Sequence, residues 1–439
     1  MSKQSEFTFE QAKQFTNQVL NKFYNQPMTD IEQAILKAVW ENKEYKDVVG
    51  WNANSVKNAA AELWHKLSIA IDLDVKLKNV KQALESKWGE REMEGLSDDK
   101  NNLSSTPGSD FYYIDRPPLE KTCYDAIVEP GGLIRITAPQ KMGKNLLLNK
   151  VLDYAKAQNY QTVKVIFNDR SVFEKYETFI KWFCLCISDT LKPEKTIYEI
   201  WQDVGNHRNC NKYFEEILLP RVEKSLVIAM VDFEVLLEFP DIFRDFCSLI
   251  RTWYNNAAER ESIWRKLRIV IVNSTKPYVK YDINRSPFNV GESPKLVGFT
   301  DEQVASLVKY HQLEQKLQGE EEKLKILITL VAGHPDLIQK ALTHLKFPQN
   351  TIQELLDKAS TEQGIFRDHL KEQLEALKKN PKLLEDYKIV INSNTPVRLD
   401  DDQSRFKLDS LGLIEFSGND CVSSCNLYRN YFLDILKNN

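Results

Sequence analysis

The residues of this chain best suited to chemistry are Gly143 and Lys144. They stand between a short β-rich run, Leu133 to Thr137, and a stretch of helical periodicity from Lys144 to Gln158. A lysine at the start of a helix, behind a tight loop, is an arrangement that binds phosphate. Backbone N–H groups face the ligand, the helix N-terminus carries partial positive charge, and the lysine adds a full one. The loop would be Ala138, Pro139, Gln140, Lys141, Met142 and Gly143, with Asn145 and Leu146 following the lysine. The usual pattern is G-x-x-x-x-G-K-[ST]. Here Ala138 replaces the first glycine and Asn145 the final hydroxyl residue. Asn145 can hydrogen-bond a phosphate, but it is a poor substitute for the hydroxyl that ligates magnesium.

Hydrolysis needs a metal and a positioned base, supplied in such folds by acids at the end of a buried strand. The apolar run Leu226 to Val231 ends in Asp232, Phe233 and Glu234, so Asp232 and Glu234 are the catalytic candidates. Asn273 and Ser274 follow a second buried run, Leu267 to Val272, where a polar side chain could sense a γ-phosphate. His334 and Pro335 open a helix; a helix-starting proline with a neighbouring capping histidine is the plain alternative there. Arg251 and Arg268 suit either an arginine finger or a structural ion pair. No Ser-His-Asp, Cys-His or paired-carboxylate constellation stands out, and His207 beside Cys210 has no supporting group. The seven cysteines are scattered without paired metal-ligand spacing, so no metal site is expected and small buried hydrophobes are the simpler reading.

These residues need a scaffold, and the pattern along the chain supplies one. Strands and helices alternate from Phe111, which predicts a three-layer α/β domain with a parallel sheet. Strands are expected over Leu133 to Thr137, Thr162 to Asn168, Leu226 to Val231 and Leu267 to Val272, and helices over Lys144 to Gln158, Phe173 to Lys192 and Ile242 to Arg260. The continuous apolar runs suit strands buried on both faces. After about Thr300 the chain reads as helices, through Asp301 to His311, Glu320 to Ala332 and Pro335 to Leu345. The last part adds short β runs, Pro396 to Leu399 and Leu413 to Phe416, and Gly418-Asn419 as a hairpin turn. Helices followed by a terminal hairpin fit a winged-helix module.

The first 90 or so residues read as helices only. Thr29 with Glu32 three residues on forms a capping box. A short helix over Tyr45 to Val49, a turn at Gly50 to Asn54, and a longer helix from Ser55 outline a helix-turn-helix, closed by a helix around Lys78 to Trp88. Its second helix offers Asn54, Lys57, Asn58 and Lys66 to DNA, although a major-groove reader usually brings more basic residues. The stretch 91–110 is polar and rich in turn formers, the composition of a flexible linker. The expected division is 1–90 helix-turn-helix, 91–110 linker, 111–299 α/β core, 300–347 helical lid and 348–439 winged-helix-like domain.

Bulk properties bound the partners. The 439 residues are 42% hydrophobic and 28% charged, an ordinary globular balance, and the net charge of −4 announces no global affinity for nucleic acid. No apolar run approaches the roughly 20 residues of a membrane helix. The N-terminus is polar rather than signal-like, so a cytoplasmic protein is expected.

The segment from Phe111 onward resembles the bacterial AAA-like domain of the STAND class of signalling NTPases. Tyr113 to Glu120, which contains Arg116, resembles that family's opening segment. Pro130 to Ile136 with Ala138 to Lys144 resembles its phosphate loop. Ser286 to Gly291, Gly333-His334-Pro335, Gly364 to Leu370 and Leu427 to Phe432 match in order. The N-terminal helices, through Ala38-Val39-Trp40, Tyr45 to Val48 and Leu63 to Ser68, resemble the helix-turn-helix that heads proteins associated with von Willebrand A and MoxR-type conflict systems. The resemblance implies that ATP or ADP binds between core and lid, with the opening segment that contains Arg116 covering the adenine and His334 and Pro335 nearby. It also exposes departures. Family members usually continue Gly-Lys-Thr-Ser where this chain has Gly143-Lys144-Asn145-Leu146. On alignment of the second motif the magnesium aspartate has become Val231, which weighs against bound Mg²⁺ and efficient hydrolysis. The function implied is a regulatory nucleotide-binding switch or scaffold with degenerate motifs in a signalling or defence system, acting through protein partners, with homo-oligomers compatible. The alternatives are a DNA-binding transcriptional or mobile-element adaptor and an active ATPase switch.

Overall fold

A computed structural model describes residues 8–24, 28–41, 43, 46, 48, 50–71, 75–85, 87, 113–274 and 286–437. The chain divides into two compact units, Met1–Asp110 and Phe111–Asn439. The expected linker 91–110 and most of the short helix expected at Tyr45 to Val49 lie outside the described residues.

The first unit is helical, with α1 (Phe9–Tyr24), α2 (Asp30–Trp40), α3 (Ala53–Ile71) and a further helical turn over 80–85. The capping box opens α2: the Thr29 hydroxyl accepts the Glu32 N–H, and the Glu32 carboxylate accepts the Thr29 N–H. Apolar residues at helical spacing, among them Ile35, Leu36, Val56, Leu63 and Leu67, form a closed core.

The second unit is built on four parallel strands: β1 (Leu133–Thr137), β2 (Gln161–Ile166), β3 (Leu226–Val231) and β4 (Leu267–Asn273). Their order is β1-β4-β3-β2. Glu292 and Lys295 bridge the outer edge of β1 in parallel. Side chains alternate between faces, so one strand supplies two cores. Ile134, Ile136, Val227, Ala229, Val231, Val270 and Val272 pack with α4 (Leu119–Val128) and α5 (Lys144–Ala157). Leu133, Val163, Val165, Ile228, Met230, Ile269 and Ile271 pack on the other face with α6 (Tyr176–Leu191), α7 (Asn206–Tyr213) and α8 (Pro240–Asn256). An aromatic cluster fills that second core, with Phe167, Phe179, Phe183, Phe233, Phe246 and Trp253 in edge and stacked contact. This is the three-layer α/β architecture.

The C-terminal half is one further core. It gathers α9 (Asp301–Tyr310), α10 (Glu321–Leu330), α11 (Pro335–Leu345), α12 (Ile352–Lys358), α13 (Arg367–Lys378), α14 (Pro381–Asn392), α15 (Asp402–Ser410), the hairpin β5 (Ile414–Ser417) and β6 (Asp420–Ser423), and α16 (Asn426–Lys437). Several boundaries depart from the expectations. Helix α6 begins at Tyr176 because Asp169 caps a separate 3₁₀ turn, Arg170–Phe173. Helix α8 begins at Pro240, whose fixed φ suits the first turn. Residues 197–221 are largely helical where the sequence reading assigned nothing. The run Pro396 to Leu399 is not a strand; only Val397 pairs, through one bridge to Cys421.

Candidate nucleotide site

Strand β1 ends at Thr137 and α5 begins at Lys144, so Ala138 to Gly143 must reverse direction in six residues. Two left-handed residues do it, Lys141 at φ 62° and Gly143 at φ 91°. Glycine reaches that region without strain. At Gly143 it has a second use, because a Cβ there would lie 2.5 Å from the Arg116 guanidinium. Left-handed residues two apart are compatible with the concave backbone that suits anions.

Arg116 closes the loop from the side. It is buried, donates to the Met142 carbonyl at 3.1 Å and the Val297 carbonyl at 3.4 Å, and lies over the Phe299 ring at 5.2 Å. Its backbone N–H donates to Glu120, which also accepts from the Tyr113 hydroxyl. Burial lowers the Arg116 pKa and raises that of Tyr113. The Lys144 ammonium donates to the Ala138 and Pro139 carbonyls at 2.9 and 2.8 Å. Burial pulls its pKa down to about 8, opposed by the carboxylates of Glu234 and Asp232.

The acids sit differently from one another. Val231, the last residue of β3, is 3% exposed and packs on the face that carries Leu147 and Leu148 of α5. Asp232 is the next residue, exposed and left-handed at φ 58°. Glu234 accepts the Ser274 N–H at 3.0 Å, and its other oxygen is buried with no hydrogen-bond partner. Asn273 closes β4 beside the loop: its carboxamide oxygen accepts the Thr137 hydroxyl at 2.9 Å, and its carbonyl accepts the Ala138 N–H. Loop, Lys144, Asp232, Glu234, Asn273 and Ser274 are therefore brought to one end of the sheet, the carboxyl ends of the strands, where open α/β sheets bind ligands. Asn145 is exposed at the first turn of α5 and Leu146 half-buried. Val231 has no atom to offer a magnesium ion, whereas the Asn145 carboxamide oxygen and the exposed Asp232 carboxylate next to Val231 are oxygen donors.

His334 and Pro335 are both buried at the start of α11, and the histidine makes no capping bond, so the plain capping role does not hold. The His334 ring lies 5.9 Å from that of His369, whose Nε2 is hydrogen-bonded to the Tyr428 hydroxyl at 2.7 Å. Burial pushes His334 down to about 4 and His369 to about 3, with Lys141 contributing to both. His369, Gln373 and Glu372 were given no role by the sequence reading. His369 lies within Gly364 to Leu370, one of the segments that carry the family resemblance, and that is its signal in the sequence.

Other candidates are structural. Buried Arg268 donates to the carbonyls of Ile127 and Val128, and Arg251 donates to Asn289. Arg429 donates to the Ser393 carbonyl and to Asn394. In the first unit Lys66 is paired with the buried Glu32 at 3.3 Å. Lys57 is exposed; the side chains of Asn54 and Asn58 lie outside the described residues. Among the described residues no cluster of His, Cys, Asp and Glu could hold a metal, and no helix is long and apolar enough to cross a membrane.

A parallel sheet with a strand–loop–helix phosphate cradle at its carboxyl end defines a P-loop ATPase-like fold. Residues 102–434 match the AAA-like domain family, and the chain belongs to it. Residues 7–87 match the N-terminal helix-turn-helix of vWA-MoxR associated proteins. Among solved structures, the Walker-type ATPase PABY2304 of Pyrococcus abyssi is similar at 12% identity and a TM-score of 0.48, over 73% of this chain and 96% of that one. The Aeropyrum pernix ORC2 protein, solved as ADPNP–ADP complexes, is similar at 13% identity and a TM-score of 0.42, over 74% of this chain and 95% of that one. A comparison with curated proteins finds no match.

Proposed function

We propose that this chain is a regulatory switch of the STAND type that binds ATP or ADP without efficient hydrolysis. The observation that carries the reading is the contrast within one site. A left-handed loop with Gly143 and the half-buried Lys144 support phosphate binding, while the family resemblance aligns Val231 and Asn145 with its magnesium-site positions. Nucleotide would lie between the loop, with Arg116 beside it, and the C-terminal helices that begin at His334 and Pro335. It would bias two arrangements of those parts. Output would pass to protein partners of a bacterial signalling or defence system in the cytoplasm, with homo-oligomers compatible. The domain division that goes with this reading is 1–90, 91–110, 111–299, 300–347 and 348–439. Asn273 and Ser274 serve as sensors in it, and Asp232 and Glu234 retain at most a weak catalytic role.

The match of residues 7–87 to a helix-turn-helix supports a second reading, a DNA-binding adaptor that uses the ATPase fold for assembly. The pairing of Lys66 with Glu32 weakens it. The decisive experiment is to release and weigh any nucleotide that copurifies, and to assay turnover with magnesium. Bound nucleotide and negligible turnover are expected. Robust magnesium-dependent turnover that is lost in Lys144→Ala would sink the eroded-site reading and favour an active ATPase switch.

A further inference from the structure

The phosphate loop is engaged from the C-terminal side. The Gln140 N–H donates to the Ser410 carbonyl at 3.2 Å, which ties the loop to the end of α15. Lys141, held left-handed in the loop, pairs with Glu372 of α13 at 2.5 Å. The turn after α15 lies against the loop as well, since a Cβ on Gly412 would stand 3.2 Å from that of Pro139. Lys144 donates to two loop carbonyls. The Gln140 amide and the Lys141 and Lys144 ammonium groups, the donors a polyphosphate would use, thus all hold protein oxygens.

The apolar core of the C-terminal half includes no residue of the loop or of β1 to β4. Polar bonds are what join Gln140 and Lys141 to it. The Lys141–Glu372 pair faces solvent, with 34% and 64% of the two side chains exposed, and pairs of that kind contribute little. Behind it, Gln373 donates to the Leu411 carbonyl, next to Ser410, yet its carboxamide oxygen is buried with no hydrogen-bond partner. The Nδ1 atoms of His369 and His334 are in the same condition. Desolvated, unmatched polar atoms penalise the docked arrangement.

We propose that the Glu372 carboxylate and the Ser410 carbonyl are internal competitors of polyphosphate for the loop. The C-terminal helices dock on Gln140 and Lys141, and a bound di- or triphosphate displaces them. Nucleotide therefore opens this seam rather than gluing it shut. This rests on the nucleotide reading of the site and adds the sign of the coupling.

The test titrates the full-length protein with ADP and with inorganic pyrophosphate, and compares Glu372→Gln, Glu372→Lys and Glu375→Lys. Glu375 is exposed on the same helix and controls for the change in net charge. Glu372→Gln should bind about two- to fivefold tighter, the span expected for loss of one exposed ion pair. Glu372→Lys should gain about tenfold, clearly more than Glu375→Lys. Amide hydrogen exchange provides a readout without ligand: the Gln140 N–H should exchange faster in Glu372→Lys, and ADP should speed exchange across 372–373 and 405–412 in the wild type. If all four proteins bind ADP equally, or if ADP slows exchange in 405–412, the competition is overturned while the nucleotide reading stands. If none of the four binds either ligand, the nucleotide reading falls and the competition with it.

Discussion

On the proposed nucleotide reading, Lys144 should make the affinity for nucleotide depend on pH. Burial lowers its pKa to about 8, while Glu234 and Asp232 pull the other way. Only the ammonium form attracts phosphate. With a pKa of about 8, the charged fraction falls from about nine-tenths at pH 7 to about one-tenth at pH 9. Bound phosphate stabilises the ammonium and raises its pKa, so binding takes up protons. Affinity for ADP should fall about tenfold between pH 7 and pH 9, and at pH 8 binding should take up about half a proton. Isothermal titration in two buffers of different protonation enthalpy reads both quantities. Lys144→Met should bind weakly and lose the slope. Flat affinity from pH 7 to 9 with no proton uptake would refute the burial argument, as would an unchanged slope in Lys144→Met. Stability runs the other way. The folded pKa lies below the lysine value of 10.5, so the unfolded chain binds more protons between about 8 and 10.5 and stability rises with pH across that window. The full effect is on the order of 3 kcal/mol.

Two further outcomes are expected. Gly143→Ala forces a Cβ into the left-handed region and to 2.5 Å from Arg116, so it should lose roughly 1–3 kcal/mol of stability, part of it recovered in an Arg116→Ala background; denaturant midpoints of the four proteins decide. Lys66→Ala leaves the buried Glu32 without its cation and should cost roughly 1–3 kcal/mol, whereas exposed Lys57→Glu should stay within about 0.5 kcal/mol. Equal melting curves for the two variants would show that the pair with Glu32 contributes no stability.

Much of the site was legible in the chain because it is local. Strand, loop, lysine and helix are consecutive, so 133–157 reads correctly from period and composition alone. The apolar runs of β3 and β4 announce strands buried on both faces, and the acids after β3 and the polar residues at the end of β4 must emerge at the same sheet end as the loop. The capping box at Thr29 and Glu32 is likewise a matter of residues three apart. What local pattern could not give is where residues distant in sequence meet. Asn273 reaches Thr137 across the sheet, and Glu234 reaches Ser274, because parallel pairing sets the register of β1, β3 and β4.

The amino-acid sequence by itself determined the strand–loop–helix order around Gly143 and Lys144, the parallel core, and the departures from the usual loop pattern at Ala138 and Asn145. These follow from side-chain type and short-range geometry. Only the tertiary structure decided that Lys66 belongs to Glu32, that His334 is buried against His369 rather than capping its helix, and that Glu372 and Ser410 reach the loop. An exposed glutamate on an amphipathic helix looks like any solvated charge. Its partner 231 residues earlier is chosen by how the C-terminal core stacks on the sheet, a free-energy balance spread over the whole unit that no window of sequence contains.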